Sequence, residues 1–404
     1  MIRDFVTQNI INVFASIAIG LLNWVFSFLI IRYIPEQNYT FFFTFSSLLA
    51  ILSFPGAWIT LMTVRAGHTF LKKVKDKFLE IPHIKKCSSA LFVILFLYCI
   101  LFNIAFLPFG VLLVFLVSIG FYSSYLRGLF QRELKFIYLG SIGLFEVILK
   151  VIILVAAISL GWSGTAMYFA ITIQTTITLA ILWKLSPSKD IHKTVSSFAL
   201  TKNAVLTLFY SLCFILLTNI DLIMADVLLP IRQNADYISL LQIAKLVIFG
   251  SSALITVLIP ALQKYQETKQ ILWMSFLTGL GIISGATVVL LLTIAEYAQV
   301  AQFLKLTSVP LDLAIRMILS VALLGIAQIP LVLLLIKENR ALPFVVVITS
   351  LIQILLFISL GKDLQSFVNI YGLTAITLFI TSMLGLVSGQ FSFRQKQNDD
   401  ISTK

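Results

Sequence analysis

Charge is what this chain has least of. Of its 404 residues only 11% are Asp, Glu, Lys or Arg, while 59% are hydrophobic and the mean hydropathy is +1.03. A soluble domain carries roughly a quarter of its residues as charges, so a water-exposed globular surface is excluded. The three histidines, His68, His83 and His192, and the three cysteines, Cys87, Cys99 and Cys213, show no metal-ligand or disulfide spacing. The cysteines read as small apolar residues in packed helices. There is no Walker loop and no nucleophile elbow, which excludes a nucleotide-driven machine and the common hydrolases. Nor are there ten-residue segments of alternating polarity, so a membrane β-barrel is set aside.

What is present is a series of long apolar runs. A helix rises ~1.5 Å per residue and the bilayer core is ~30 Å thick, so about 20 apolar residues make a span. The first six spans read as Asn9–Tyr33, Tyr39–Val64, Ser88–Leu107, Phe109–Phe130, Phe136–Leu160 and Ser163–Leu185. The second six read as Asn203–Leu229, Asp236–Pro260, Ile271–Ala295, Asp312–Ile336, Ala341–Gly361 and Ser366–Phe391. Arg3 precedes the first run and no small-residue cleavage site follows it, so that run is expected to be retained as a span. The expected class is thus an all-α polytopic membrane protein of about 12 helices. Its segments are 1–185 (N-terminal bundle), 186–202 (linker), 203–391 (C-terminal bundle) and 392–404 (tail).

The basic residues orient it. With the amino terminus inside, 22 of the 29 Lys and Arg fall in inner segments and five in outer ones, leaving Lys150 and Lys245 inside spans. By the positive-inside rule both termini are expected in the cytoplasm. The net charge of +12 then reports topology and not a nucleic-acid footprint. In the inner segment after the second span, Phe70, Val74 and Phe78 share one helical face among lysines. That pattern suits an interfacial helix on anionic headgroups as well as a plain solvated loop.

Shifting the chain by 205 residues maps Pro55 onto Pro260, and Arg132-Glu133-Leu134-Lys135 onto Lys337-Glu338-Asn339-Arg340. Two six-span halves share one orientation, related by an axis along the membrane normal, which is an architecture that places a substrate site between the halves. Pro55 and Pro260 fall in corresponding spans and are the candidate hinges. Gly281 and Gly285 have the spacing of a close helix contact.

Ionisable groups deep in spans are costly and are functional suspects. Glu146 and Lys150 lie one turn apart on the fifth span; Asp221 and Asp226 lie on the seventh and Lys245 on the eighth. Similar depths allow two ion pairs, Glu146 with Lys150 and Asp221 with Lys245, that serve packing alone. The other reading is a cation-bearing cavity for an anionic headgroup, with Glu146 and Asp221 as coupling or pairing acids. Arg127 is flanked by Tyr122 and Tyr125, which suit stacking on a sugar. Arg32 and Arg316 read as interfacial cations that snorkel. The buried amides, Asn23, Asn219, Gln174, Gln242 and Gln353 among them, fit either helix contacts or sugar contacts.

Several stretches resemble the Wzx-type oligosaccharide flippases of the multidrug/oligosaccharidyl-lipid/polysaccharide exporter (MOP) superfamily. They are Tyr125-Leu-Arg127-Gly128-Leu-Phe-Gln131-Arg132, Glu146-Val-Ile-Leu-Lys150, Asn219-Ile-Asp221, Asp236-Tyr237, Ala244-Lys245 and Pro260. The resemblance implies two six-helix bundles around a central cavity, alternating access in a bacterial inner membrane, and no enzymatic activity. It implies an undecaprenyl-pyrophosphate-linked oligosaccharide as cargo. Lys150 and Lys245 match its cationic cavity positions, and Arg127 its inner mouth. Expected partners are the lipid-linked oligosaccharide, membrane lipids, a polysaccharide polymerase and a chain-length regulator. No cofactor is expected, and H+ or Na+ are the candidate coupling ions. The chain is somewhat short for that family.

Three other readings compete. A cation-coupled drug exporter of the same superfamily typically carries an acid in its first span, and Asn9–Tyr33 has none. A membrane polysaccharide polymerase is expected to carry a long outer loop, and the longest here is Glu296–Leu311. A peptidoglycan-precursor flippase carries the same pyrophosphate and is not separated by these residues.

Overall fold

A computed structural model describes residues 2–66, 106–133, 135–162, 164–185, 202–248, 269–293, 306, 309–336 and 341–391. Among the described residues the ordered elements are all helices. They are α1 (Ile2–Tyr33), α2 (Glu36–Leu52), α3 (Phe54–Ala66), α4 (Phe106–Arg132), α5 (Phe136–Ser159), α6 (Ala166–Leu185), α7 (Lys202–Leu228), α8 (Ile231–Ala244), α9 (Lys269–Thr293), α10 (Leu311–Ile336), α11 (Ala341–Leu360) and α12 (Leu364–Phe391). A 3-10 turn, Lys245–Val247, continues α8. The expected third span, Ser88–Leu107, falls almost wholly outside the described residues. So do Pro260, the segment Phe70–Phe78, residues 186–201 and the tail.

Six helices, α1, α4, α5, α6, α10 and α12, are each long and apolar enough to cross a bilayer, and α2 with α3 makes a seventh broken span. The solvent these helices expect is visible in α5. Its residues Ile137, Phe145, Ile148, Ile152 and Val155 recur at helical spacing and are exposed, whereas Gly140, Gly143, Val147, Leu154 and Ala157 on the other side are buried. An apolar stripe of that length facing water would be an aggregation liability; facing acyl chains it is the solvent-matched side. The chain is a multi-pass membrane protein. Gly161, at φ 80°, ends α5: the Trp162 amide donates to the Ala157 carbonyl at 2.9 Å, closing the last turn in the left-handed cap that glycine favours.

The helices pack in two sets with repeated neighbours. In the first half α1 packs on α5, α5 on α6 and α4 on α6; in the second, α7 packs on α11, α11 on α12 and α10 on α12. These are the same pairings six helices on, so the repeat is present in three dimensions. The halves meet where α2 and α3 touch α7 and where α1 and α2 touch α8. There Thr44 of α2 hydrogen-bonds Asp226 of α7, which also accepts from Asn234 Nδ2 at 3.0 Å, and Tyr39 hydrogen-bonds Ser239 of α8.

The structure departs from the sequence reading in three places. The expected second span is two helices, bent by 42° at Ser53. Pro55 has no amide hydrogen to donate at that point, and the Gly56 amide donates instead to the Ser53 carbonyl at 2.8 Å. The eighth helix starts at Ile231, five residues before the expected Asp236. It is the most polar of the helices and is buried from Asn234 to Ala244 except at Gln242, because it lies on the seam between the halves. Gly281 and Gly285 make no close helix contact: a Cβ at either would meet nothing within 4 Å. Tight glycine contacts lie elsewhere, one of them between α3 and α4. A Cβ on Gly128 would stand 2.7 Å from Thr63 Cβ and 2.9 Å from the Thr60 carbonyl oxygen.

Candidate functional site

Two glycines on α5 set the site's geometry. A Cβ on Gly140 would meet Ala15 at 3.0 Å, and one on Gly143 would meet Ile19 Cδ1 at 2.7 Å, so α1 lies directly against α5. Farther along both helices, Asn23 lies one turn beyond Ile19 and Lys150 two turns beyond Gly143, and the long lysine side chain spans the one-turn difference. The Lys150 ammonium donates to Asn23 Oδ1 at 2.5 Å and stands 4.3 Å from the centroid of the Phe26 ring, a cation–π distance.

Lys150 and Asn23 line a cavity of about 280 Å3 on the seam between the halves. Lys245 reaches the same cavity from the second half, as do Asn219 and Gln242. Ser27, Ser46 and Ser47 add hydroxyls, and Trp24, Phe26, Phe42 and Phe43 add aromatic wall. Among the described residues no carboxylate lines it. The two lysines that sequence alone placed inside spans therefore converge, one from each half, on one polar pocket.

The acids are arranged otherwise than expected. Glu146 makes no direct ion pair with Lys150. Its Oε2 accepts from Arg127 Nη2 at 2.5 Å and its Oε1 from Gln174 Nε2 at 2.6 Å, tying α5 to α4 and α6. A residue one turn from Lys150 on the same helix can still direct its carboxylate away, here toward a charge-assisted hydrogen bond from Arg127 on one oxygen and an amide on the other. Arg127 is consequently engaged and lies outside the cavity lining. Tyr122 packs edge-on against Trp183 at 6.1 Å and near Tyr125 at 6.2 Å, not over Arg127.

Asp221 and Lys245 do not form the expected direct contact. They interact electrostatically but stand more than 4 Å apart. Asp221 is fully buried; its Oδ2 accepts from the Tyr237 hydroxyl at 2.8 Å and its Oδ1 has no hydrogen-bond partner. Asp226 serves the seam described above. Arg316 pairs with Asp312 at 3.3 Å on the exposed start of α10, as an interfacial cation should. Among the described residues no group of three His, Cys, Asp or Glu is placed to hold a metal.

Sequence reasoning grouped Asn23 with the other buried amides and did not separate Phe26 from the apolar-run residues. The available signal was an amide in an otherwise apolar first span with an aromatic three residues on, hence on the same helix face.

Several solved structures match nearly the whole chain. One is described as MATE in the straight conformation: 13% identity, TM-score 0.65, covering 96% of this chain and 95% of that one. The fold is that of the MATE transporters. A second is the outward-facing conformation of a multidrug resistance MATE family transporter of the MOP superfamily, at 12% identity and TM-score 0.62, covering 95% of each chain. A third is a MOP superfamily transporter from Pyrococcus furiosus, described as having a reverse-polarity binding pocket that suggests a different function. It matches at 10% identity and TM-score 0.60, over 95% of each chain. No family model and no curated protein matches the sequence. With the helix pairings above, this settles the architecture as all-α, with two six-helix bundles.

Proposed function

We propose that this chain is a membrane transporter of amphipathic anions that works by alternating access. The observation that carries the reading is the inter-half cavity, where Lys150 and Lys245 project from opposite halves and no carboxylate among the described residues joins the lining. Ammonium groups on a partly apolar wall favour a phosphate or pyrophosphate headgroup and repel an organic cation. The aromatic and serine lining suits the sugar or apolar portion of the same molecule. A substrate held by both lysines bridges the halves, so its binding energy bears on how they sit relative to one another.

Within that class, the motif resemblance favours a lipid-linked oligosaccharide of the undecaprenyl-pyrophosphate type, carried across a bacterial inner membrane for surface polysaccharide synthesis. A polymerase and a chain-length regulator would then act on the product. The second reading is multidrug export, which the descriptions of the structural neighbours favour; here the cavity's charge would direct it to anionic drugs. With no nucleotide-binding motif in the sequence, an ion gradient, the membrane potential or a substrate gradient is left to drive transport, with H+ and Na+ as the candidate coupling ions. Asp221, whose Oδ1 is free inside the fold, is the group we assign to coupling.

The test is complementation of a flippase-deficient host, scored by surface polysaccharide, with abundance read separately. Lys150→Ala should insert at normal abundance and fail to transport. Normal transport by that variant would remove Lys150 from the binding site and with it the anion reading.

A further inference from the structure

We propose that Asn23 is a positioning residue that sets the sign of the cavity's charge: it holds the Lys150 ammonium at the wall without neutralising it. The inference rests on the anion-binding reading above and deepens it.

Asn23 is oriented from its own helix. Its Nδ2 donates to the Ile19 carbonyl one turn back at 3.0 Å, which turns the amide nitrogen toward the α1 backbone and Oδ1 toward Lys150. Lys150 donates to that oxygen. Phe26, three residues on and thus above Asn23 on the same face, covers the ammonium from a second direction. Both partners stabilise a cation, and neither carries charge. The carboxylate within reach along α5, Glu146, is occupied by Arg127 and Gln174. Lys150 is therefore located by two uncharged direct partners, with no carboxylate among the described residues in contact to cancel its charge.

The second half holds the same device in part. Asn219, on α7, the helix corresponding to α1, donates its Nδ2 to the Ile215 carbonyl one turn back at 2.9 Å and lines the same cavity. Its hydrogen bonds run through Nδ2, to Ile215 and to Thr218, and none goes to a lysine. The two asparagines thus share a local geometry, and only Asn23 has a cation on it. That makes Asn219 the internal comparison.

The experiment uses the full-length purified protein in lipid nanodiscs, with inorganic pyrophosphate as the probe and thermal unfolding measured alongside. Asn23→Asp converts the acceptor into a counter-ion. It should weaken pyrophosphate binding at least tenfold while leaving the unfolding temperature unchanged or higher. Asn219→Asp adds the same charge to the same cavity away from Lys150 and should weaken binding by less than half that factor. The exchange Asn23→Lys with Lys150→Asn restores one ammonium and one amide across the same helix pair, and should return binding to within about threefold of the unaltered protein. Wild-type binding by Asn23→Asp, or an equal loss in both aspartate variants, overturns the role of Asn23. Lys150→Gln and Lys245→Gln separate the two ideas. If they bind pyrophosphate as tightly as the unaltered protein, the anion-binding reading itself fails; if they lose it while Asn23→Asp does not, only the present inference fails.

Discussion

Removing Lys245 should expose how the buried carboxylate beside it is held. Asp221 has no solvent access and one side-chain hydrogen bond, from Tyr237 at 2.8 Å. A hydrogen bond to a charged group contributes about 1.5–3 kcal/mol. The Lys245 ammonium, more than 4 Å away, contributes at most about 4 kcal/mol with an effective dielectric near 20. Lys245→Leu removes that second contribution and leaves the carboxylate behind, a type of change that typically costs about 3–5 kcal/mol. The variant should lose folded protein, read as the monodisperse fraction in detergent and the unfolding temperature. Asp221→Asn with Lys245→Leu removes both charges, and the Asn carbonyl still accepts from Tyr237. Abundance should return to near the unaltered level. Binding of pyrophosphate should not, because one of the cavity's two cations is gone. A double variant that binds and transports normally would refute a substrate role for Lys245 and leave the pair a packing device. A Lys245→Leu protein of undiminished stability would refute the electrostatic coupling itself.

Other perturbations have equally definite outcomes. Gly128→Ala places a methyl group against the Thr60 carbonyl and Thr63, and should lower stability by about 1–3 kcal/mol in a thermal melt; Gly281→Ala, with open space around it, should be neutral or slightly stabilising. Asp363 caps α12, its Oδ1 accepting from the Ser366 amide at 2.7 Å, and this holds its carboxyl below the usual carboxylate range. Because the folded-state value is depressed, the cap's contribution is present at neutral pH and is lost only as pH falls through the folded-state value. Asp363→Ala should therefore cost about 1 kcal/mol at pH 7 and nothing in strong acid, in melts at the two pH values. Reporter fusions after Leu185 and after Lys404 should read cytoplasmic and one after Pro230 external; a periplasmic carboxyl terminus would break the even span count.

The helices were legible because the bilayer imposes one rule, an apolar run of span length, and α4, α5, α6, α10, α11 and α12 follow it almost to the residue. Lys150 and Lys245 were legible for the same reason: a charge in such a run stands out. What the sequence left undecided was who pairs with whom. Glu146 and Lys150 share a helix face, yet the nearest partners lie on other helices, Arg127 and Gln174 for the one and Asn23 for the other. Those partners depend on how closely α1 can approach α5, which Gly140 and Gly143 allow. Glycine spacing alone misled at Gly281 and Gly285, because the same pattern suits a helix contact and a lipid-facing surface. The start of α8 was missed since its first turn, Ile231 to Asp236, is too polar to read as membrane helix; it is stabilised by the protein seam and not by lipid.

The most direct measurement of the central claim is a comparison of ligand charge on the purified protein in nanodiscs. Binding of inorganic pyrophosphate and of tetraphenylphosphonium, an apolar organic cation, should be titrated on the unaltered chain and on the Lys150→Gln, Lys245→Gln double variant. The cationic cavity predicts that the unaltered protein binds pyrophosphate and not the phosphonium, and that the double variant loses pyrophosphate. Tight phosphonium binding by the unaltered protein, with pyrophosphate unaffected by loss of both lysines, would contradict it.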